Sequence, residues 1–179
     1  MPFDLPGLFQ EHATGLAGAV RAIQGQHADP AELLQEAFLR GWRALQRGDE
    51  PTDPVAWLFV LTMNLARDGR RQRERRGSER DLSAEDVVLL DERNEPAKTV
   101  LAGEVEEAAR DAISRLKPED KDVFLLRVSG EQSFDAIARA LGVPVGTAKT
   151  RMRRALRALR RDLAAFGPTP RLDVQGEPS

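Results

Sequence analysis

The 179-residue sequence predicts an all-α fold: two small helical domains joined by a flexible acidic linker, the C-terminal one containing a helix-turn-helix. Three observations carry this. Apolar residues recur at three- to four-residue spacing in successive stretches, several opened by a capping residue followed by proline. No segment alternates polar and apolar residues long enough to demand a sheet. Between residues 77 and 103 the periodicity is lost, acids accumulate and Pro96 intervenes, which divides the chain.

Leu8, Leu16, Val20 and Ile23 give a first, weaker helical pattern that ends near Gly25. Asp29-Pro30-Ala31-Glu32 opens the next helix, with Asp29 as N-cap, Pro30 at the first position and Glu32 placed as in a capping box. Leu34, Phe38, Trp42 and Leu45 form its apolar face, and it should run to about Gln46. Arg47 to Thr52 is turn chemistry. Asp53-Pro54 then starts a helix whose Trp57, Leu58, Leu61 and Leu65 mark the buried side and which continues into an arginine block. A cationic stretch that extends a core-anchored helix is held out as a rigid rod.

These patterns give a domain at 1–76, a linker at 77–103 with a short helix around 84–90, a second domain at 104–166 and a disordered tail at 167–179. In the second domain Val105, Ala109, Ala112, Ile113 and Leu116 form one face, and Pro118 starts a helix carrying Val123, Phe124, Leu126 and Val128.

The composition, 41% hydrophobic and 31% charged, forms cores rather than a disordered chain. Cysteine is absent, which excludes a disulfide framework, a thiolate metal site and a cysteine nucleophile. No apolar run approaches the roughly 20 residues that span a bilayer, and the N-terminus lacks a basic leader, so a soluble, cytoplasmic protein without membrane insertion is expected. His12 and His27 stand without spaced ligand partners. No phosphate-loop, nucleophile-elbow or paired-carboxylate pattern occurs, so neither catalysis nor a cofactor is expected.

The net charge of −2 hides segregation. Arg67, Arg70, Arg71, Arg73, Arg75 and Arg76 form one basic block, and Lys149, Arg151, Arg153, Arg154, Arg157, Arg160 and Arg161 a second, with Glu79 to Glu104 acidic between them. Charges are screened over about 8 Å in physiological salt, so the local balance decides what each surface attracts.

The second block lies in a helix-turn-helix pattern from Ser133 to Arg154. Ser133 caps the first helix, Phe134, Ile137, Ala138 and Leu141 face inward, and small Ala138 lets the helices cross closely. Gly142 sits where the turn needs a positive φ, and Val143 plugs the corner. Pro144 begins the second helix, with Val145, Ala148, Met152, Ala155, Leu156, Leu159 and Leu163 inward and Thr147, Lys149, Thr150, Arg151, Arg153 and Arg154 outward. Long cations reach guanine edges or phosphates, as a recognition helix requires. A solvated, salt-bridged helix is the bland alternative. No acid occurs from Ala140 to Arg161, so neutralisation within the helix is not open to it.

Leu116-Lys117-Pro118-Glu119, Val123 to Arg127 and Gly142 to Arg151 together resemble the C-terminal domain of extracytoplasmic-function (ECF) RNA polymerase sigma factors, in the sigma-70 family. Asp29 to Leu45 is similar to that family's polymerase-clamp-binding helix. Pro54 to Phe59 with Asn64 to Asp68 is similar to its promoter-melting helix. The resemblance covers roughly residues 8–76 and 104–166. One departure is Ala13-Thr14-Gly15, where the family commonly carries an aromatic or bulky residue.

The resemblance implies a sigma factor that binds core RNA polymerase and directs promoter recognition, melting and initiation. Leu34, Gln35, Glu36, Phe38 and Leu39 would grip the clamp coiled coil of the largest subunit, with the flap as a further contact. Asn64, Arg67, Arg70, Arg71 and Arg73 would hold the minus-10 strand, with the loop Arg47 to Thr52 and the Asn64 helix at the base-capture site. Lys149, Thr150 and Arg153 would read minus-35 base edges, with Arg151 and Arg154 nearer phosphates. An anti-sigma factor is the expected inhibitor. The rival readings are a stand-alone helix-turn-helix transcriptional regulator, which needs no polymerase, and a sigma-like decoy that sequesters a regulatory protein.

Overall fold

The computed structural model describes residues 3–25, 28–80 and 100–166. Seven α-helices and a 3-10 turn occur among them, with no strand among the described residues: α1 (Leu5–Gln24), α2 (Pro30–Gln46), α3 (Pro54–Arg80), α4 (Val100–Ser114), α5 (Pro118–Val128), α6 (Phe134–Leu141), α7 (Val145–Asp162) and the turn Ala164–Phe166. The helix expected at 84–90 and the tail 167–179 lie outside the described residues.

Local signals set the helix starts. The Asp29 carboxylate accepts from the Ala31 N–H at 2.9 Å and the Glu32 N–H at 3.4 Å, satisfying donors that the first turn of α2 leaves open. Pro30, Pro54 and Pro118 each stand at the first position of a helix, where a missing N–H costs nothing. Helix α1 starts earlier than its apolar pattern suggests, because Leu5 is fully buried and anchors the first turn.

Helices α1, α2 and α3 pack on one another, and the Gln24 side-chain amide donates to the Ala66 carbonyl at 3.0 Å to tie the end of α1 to α3. Helices α4 to α7 form the second unit, with α7 resting on α5, α6 and α4. The two units share one buried cluster: Leu16, Ile23, Phe59 and Met63 belong to the same core as Leu116, Val123, Leu126, Ile137 and Met152. This shared core widens the buried side of α3. Ala56, Phe59, Thr62, Met63 and Ala66 are buried in addition to the expected Leu58 and Leu65, whereas Trp57 and Leu61 are only half-buried.

Two glycines permit the approach of the units. A methyl group on Gly15 in α1 would lie 2.4 Å from the Ser129 carbonyl oxygen, and one on Gly130 would lie 3.3 Å from the Phe59 ring. Three side chains expected on apolar faces are instead solvent-facing: Trp42 on α2 and Val105 on α4 are each 39% exposed, and Val128 on α5 is 40% exposed. Each helix has fewer buried positions than its apolar residues could fill.

Candidate nucleic-acid and polymerase interfaces

The helix-turn-helix is built from local chemistry. Ser133 Oγ accepts from the Ala136 N–H at 3.1 Å, capping α6. Gly142 takes φ 64°, ψ 37°, the left-handed conformation that glycine adopts without a Cβ clash, and the next N–H, of Val143, donates to the Ala138 carbonyl at 3.0 Å. Ala136, Ile137 and Ala138 of α6 are buried, as are Ala148, Met152, Ala155, Leu156 and Leu159 of α7. With these residues inward, the remaining face of α7 is fixed outward.

On that face Thr147, Lys149 and Arg151 are half-buried, and Thr150, Arg153 and Arg154 are exposed. The Lys149 ammonium lies 5.9 Å from the centre of the Phe134 ring, which Arg127 also approaches at 5.4 Å. Thr150 Oγ1 donates to the Gly146 carbonyl at 2.8 Å. Arg154 differs from its neighbours: its Nη2 and Nε lie 2.6 and 3.1 Å from Oδ1 of Asp120, a carboxylate only 4% exposed. That hydrogen bond raises the Arg154 pKa from its ordinary value. Arg154 therefore fastens α7 to α5 as well as facing solvent.

The α3 residues meet carboxylates and carbonyls. Asn64 is exposed and its side-chain oxygen accepts from Arg67 Nη1 at 2.9 Å. Arg67 is half-buried and its Nη2 pairs with Asp122 at the start of α5. Burial, followed by the nearby charge of Arg71, lowers the Arg67 pKa from its ordinary value. Arg70 pairs with Glu74 at 2.8 Å and Arg71 with Asp68 at 2.7 Å, both exposed pairs within the helix. Arg73 is exposed.

On α2, Gln35 and Leu39 are exposed, while Leu34, Glu36 and Phe38 are half-buried, with Glu36 paired to Arg40 at 2.7 Å. Phe38 stacks on Trp42 at 6.3 Å and meets Phe9 edge-on at 5.2 Å. An open groove of about 1050 Å³ runs between α2 and α3, lined by Glu36, Arg40, Arg71, Gln72, Arg73 and Arg75. The structure thus brings Glu36 of the α2 set and Arg71 and Arg73 of the α3 set to one concavity, which Leu34, Gln35, Phe38 and Leu39 do not line. The α7 set lies on a separate surface.

Sequence reasoning missed four participants. Trp42 was expected inward, yet with Leu39 it forms an exposed apolar pair on α2. Asp120 sits in the first turn of α5, where acids are ordinary helix-start residues, and Asp122 follows two residues on, so nothing local marks their arginine partners. Lys121, only 5% exposed, donates through Nζ to the Ser114 carbonyl at 2.7 Å and to Ala22 at 3.4 Å. Burial, with Arg70 and then Arg67 adding like charge, pushes its pKa down to about 8.

Among the described residues no three His, Cys, Asp or Glu side chains converge as metal ligands, and no helix is long and apolar enough to cross a membrane. His12 meets the Phe59 ring edge-on at 6.3 Å, and His27 lies outside the described residues.

Two family models match the chain: sigma-70 region 2 over residues 8–76 and sigma-70 region 4 over residues 106–159. The chain is 31% identical over 166 residues to the ECF RNA polymerase sigma factor SigL of Mycobacterium tuberculosis, covering 90% of each. It is 28% identical to the RNA polymerase sigma-H factor of Pseudomonas aeruginosa, over 88% of this chain and 83% of that one. A probable sigma factor, RfaY of Xanthomonas campestris, is 32% identical over 145 residues, and there the chain spans 36% of the relative's length. The fold is like that of two solved proteins. The sigma factor RpoE in complex with the anti-sigma factor NepR, from Bartonella quintana, has a TM-score of 0.65 at 18% identity, over 87% of this chain and 94% of that one. CnrH in complex with the cytosolic domain of CnrY has a TM-score of 0.62 at 24% identity, over 90% and 88%.

The chain belongs to the ECF type of RNA polymerase sigma factors, within the sigma-70 family. Its function is that of a sigma factor, promoter recognition for RNA polymerase, and the stand-alone regulator is not favoured.

Proposed function

We propose a division of that function among three faces. Helix α7 reads minus-35 base edges in the major groove through Lys149, Thr150 and Arg153, with Thr147, Arg151 and Arg154 toward the backbone. The minus-10 strand runs along α3, where Asn64 meets a base and Arg67, Arg70, Arg71 and Arg73 meet phosphates. Leu34, Gln35, Glu36, Phe38 and Leu39 of α2, joined by Trp42, dock on the clamp coiled coil of core polymerase, and the flap receives the C-terminal unit. The chain contributes binding and positioning, while the polymerase supplies the chemistry. It acts in the cytoplasm and takes no cofactor.

The observation that carries this reading is the fixed orientation of α7: five buried side chains and the left-handed Gly142 hold its cationic face outward. Melting is driven by differential binding. Unstacking a base costs a few kcal/mol, which a pocket and a cationic groove offset. An anti-sigma factor is the proposed inhibitor, supported by the likeness in fold to two proteins solved with such partners or with a cytosolic partner domain.

The test is transcription by core polymerase with this chain on promoters substituted at single minus-35 positions. Lys149→Ala should lose discrimination at one position, whereas Arg151→Ala should weaken all promoters alike. Equal losses for both variants on every promoter would overturn the assignment of base-reading residues.

A further inference from the structure

A lysine is a compact charge on a flexible four-carbon stem, and left to itself it answers a phosphate as readily as a base edge. Choosing a base therefore needs a second group that gives the stem a direction. Of the residues proposed to read the minus-35 element, Thr150 is tied within α7 by its bond to the Gly146 carbonyl, and Arg153 is exposed. Lys149 is held from another helix: its ammonium lies 5.9 Å from the ring centre of Phe134, the first residue of α6.

That ring is itself fixed. Ser133 caps the turn that Phe134 opens, and Phe134 packs against the buried cluster. Arg127, in the last turn of α5, lies 5.4 Å from the same ring centre, and its Nη1 donates to the Gln132 carbonyl at 3.0 Å. The Gln132 side-chain amide in turn donates to the Gly130 carbonyl at 2.6 Å. Between them Glu131 takes φ 54°, a left-handed backbone that a residue with a Cβ resists and that only a well-determined loop retains. Ring, guanidinium and loop thus form one platform at the N-terminal end of α6. The negative face of such a ring attracts a cation within about 6 Å of its centre.

We infer that Phe134 is a positioning residue for promoter choice: its ring holds the Lys149 ammonium on the α6 side of the recognition helix, so that this lysine reaches one base position rather than the phosphates around it. The inference deepens the proposed minus-35 reading and rests on it. Packing alone asks for any apolar side chain at this position, whereas positioning asks for an aromatic ring.

The test uses holoenzyme assembled from core polymerase and the full chain, on promoters substituted singly at each minus-35 position. Lys149→Ala identifies the position that Lys149 reads. There Phe134→Leu and Phe134→Met, both apolar and without a ring, should lower the preference about threefold, the size of one exposed cation–π contact, and leave preference at the other positions unchanged. Phe134→Tyr should restore it, and Phe134→Leu should remove nothing further in a Lys149→Ala background. Full preference without the ring, an equal loss at every position, or a failure of Phe134→Tyr to restore the preference overturns the inference. Failure of the underlying reading shows separately, as a Lys149→Ala holoenzyme that keeps every preference.

Discussion

Arginines crowd both α3 and α7, but in the middle of α3 Arg67, Arg70 and Arg71 are each answered by an acid. Arg67 meets Asp122, Arg70 meets Glu74 and Arg71 meets Asp68. On α7, Arg153, Arg157 and Arg160 have no ion pair among the described residues, and the exceptions are Arg161, beside Asp162, and Arg154, on buried Asp120. Unanswered cations on one helix repel one another, and that repulsion is relieved when phosphates approach. The contrast teaches that arginine density marks a possible nucleic-acid face, while the position of the nearest carboxylate decides what must be given up before DNA can bind.

The comparison is broken most severely at Arg154. Its replacement by alanine strands the Asp120 carboxylate, and a buried acceptor left without a partner is destabilising. Thermal unfolding should show that loss for Arg154→Ala and not for Arg153→Ala. Equal midpoints for the two would mean that Arg154 is an ordinary surface cation. Next in size is Lys149→Ala, expected to lose about 2 kcal/mol on one class of promoter and little on others. Gly142→Ala should cost about 1 kcal/mol of stability, the strain of a side chain in left-handed backbone, read from the urea midpoint. At the small end, Asp68→Ala should change stability by less than about 0.5 kcal/mol, because its pair with Arg71 is exposed and within one helix.

Lys121 sharpens the comparison through pH. Its ordinary value is 10.5, and in the packed chain burial, Arg70 and Arg67 bring it to about 8. Between these values the unfolded chain binds the extra proton, so stability rises with pH from about 8 to about 10.5 and this contribution levels off above. Arg67 and Arg70 on α3 are the cations that act on it, and neutral lysine still donates to the Ser114 and Ala22 carbonyls. Lys121→Met should flatten the rise in urea midpoint across that interval. A rise of the same slope in both proteins would place its source elsewhere.

What the amino-acid sequence shows of this molecule is what is encoded locally. Asp29, Ser133, Gly142 and Pro118 act within a turn of their own helix, so their roles are legible three or four residues at a time. The inward and outward faces of α7 follow from spacing alone. Arg67 with Asp122, Arg154 with Asp120, and Lys121 with Ala22 are 55, 34 and 99 residues apart, and no periodic pattern reports such a meeting. Arg154 therefore reads in sequence as one more phosphate contact. Trp42 fails for a related reason: its spacing fits a buried stripe, but α2 has neighbours only on the side of Ala37, Gly41 and Leu45.

The direct measurement of the central claim is a library of promoters randomised at minus-35 and minus-10, transcribed by purified core polymerase with and without this chain, with start sites read by sequencing. Selection should appear at both elements only when the chain is present, and Lys149→Ala should erase preference at a minus-35 position while leaving minus-10 preference intact. Polymerase that neither associates with the chain nor changes its start sites in its presence would contradict the account.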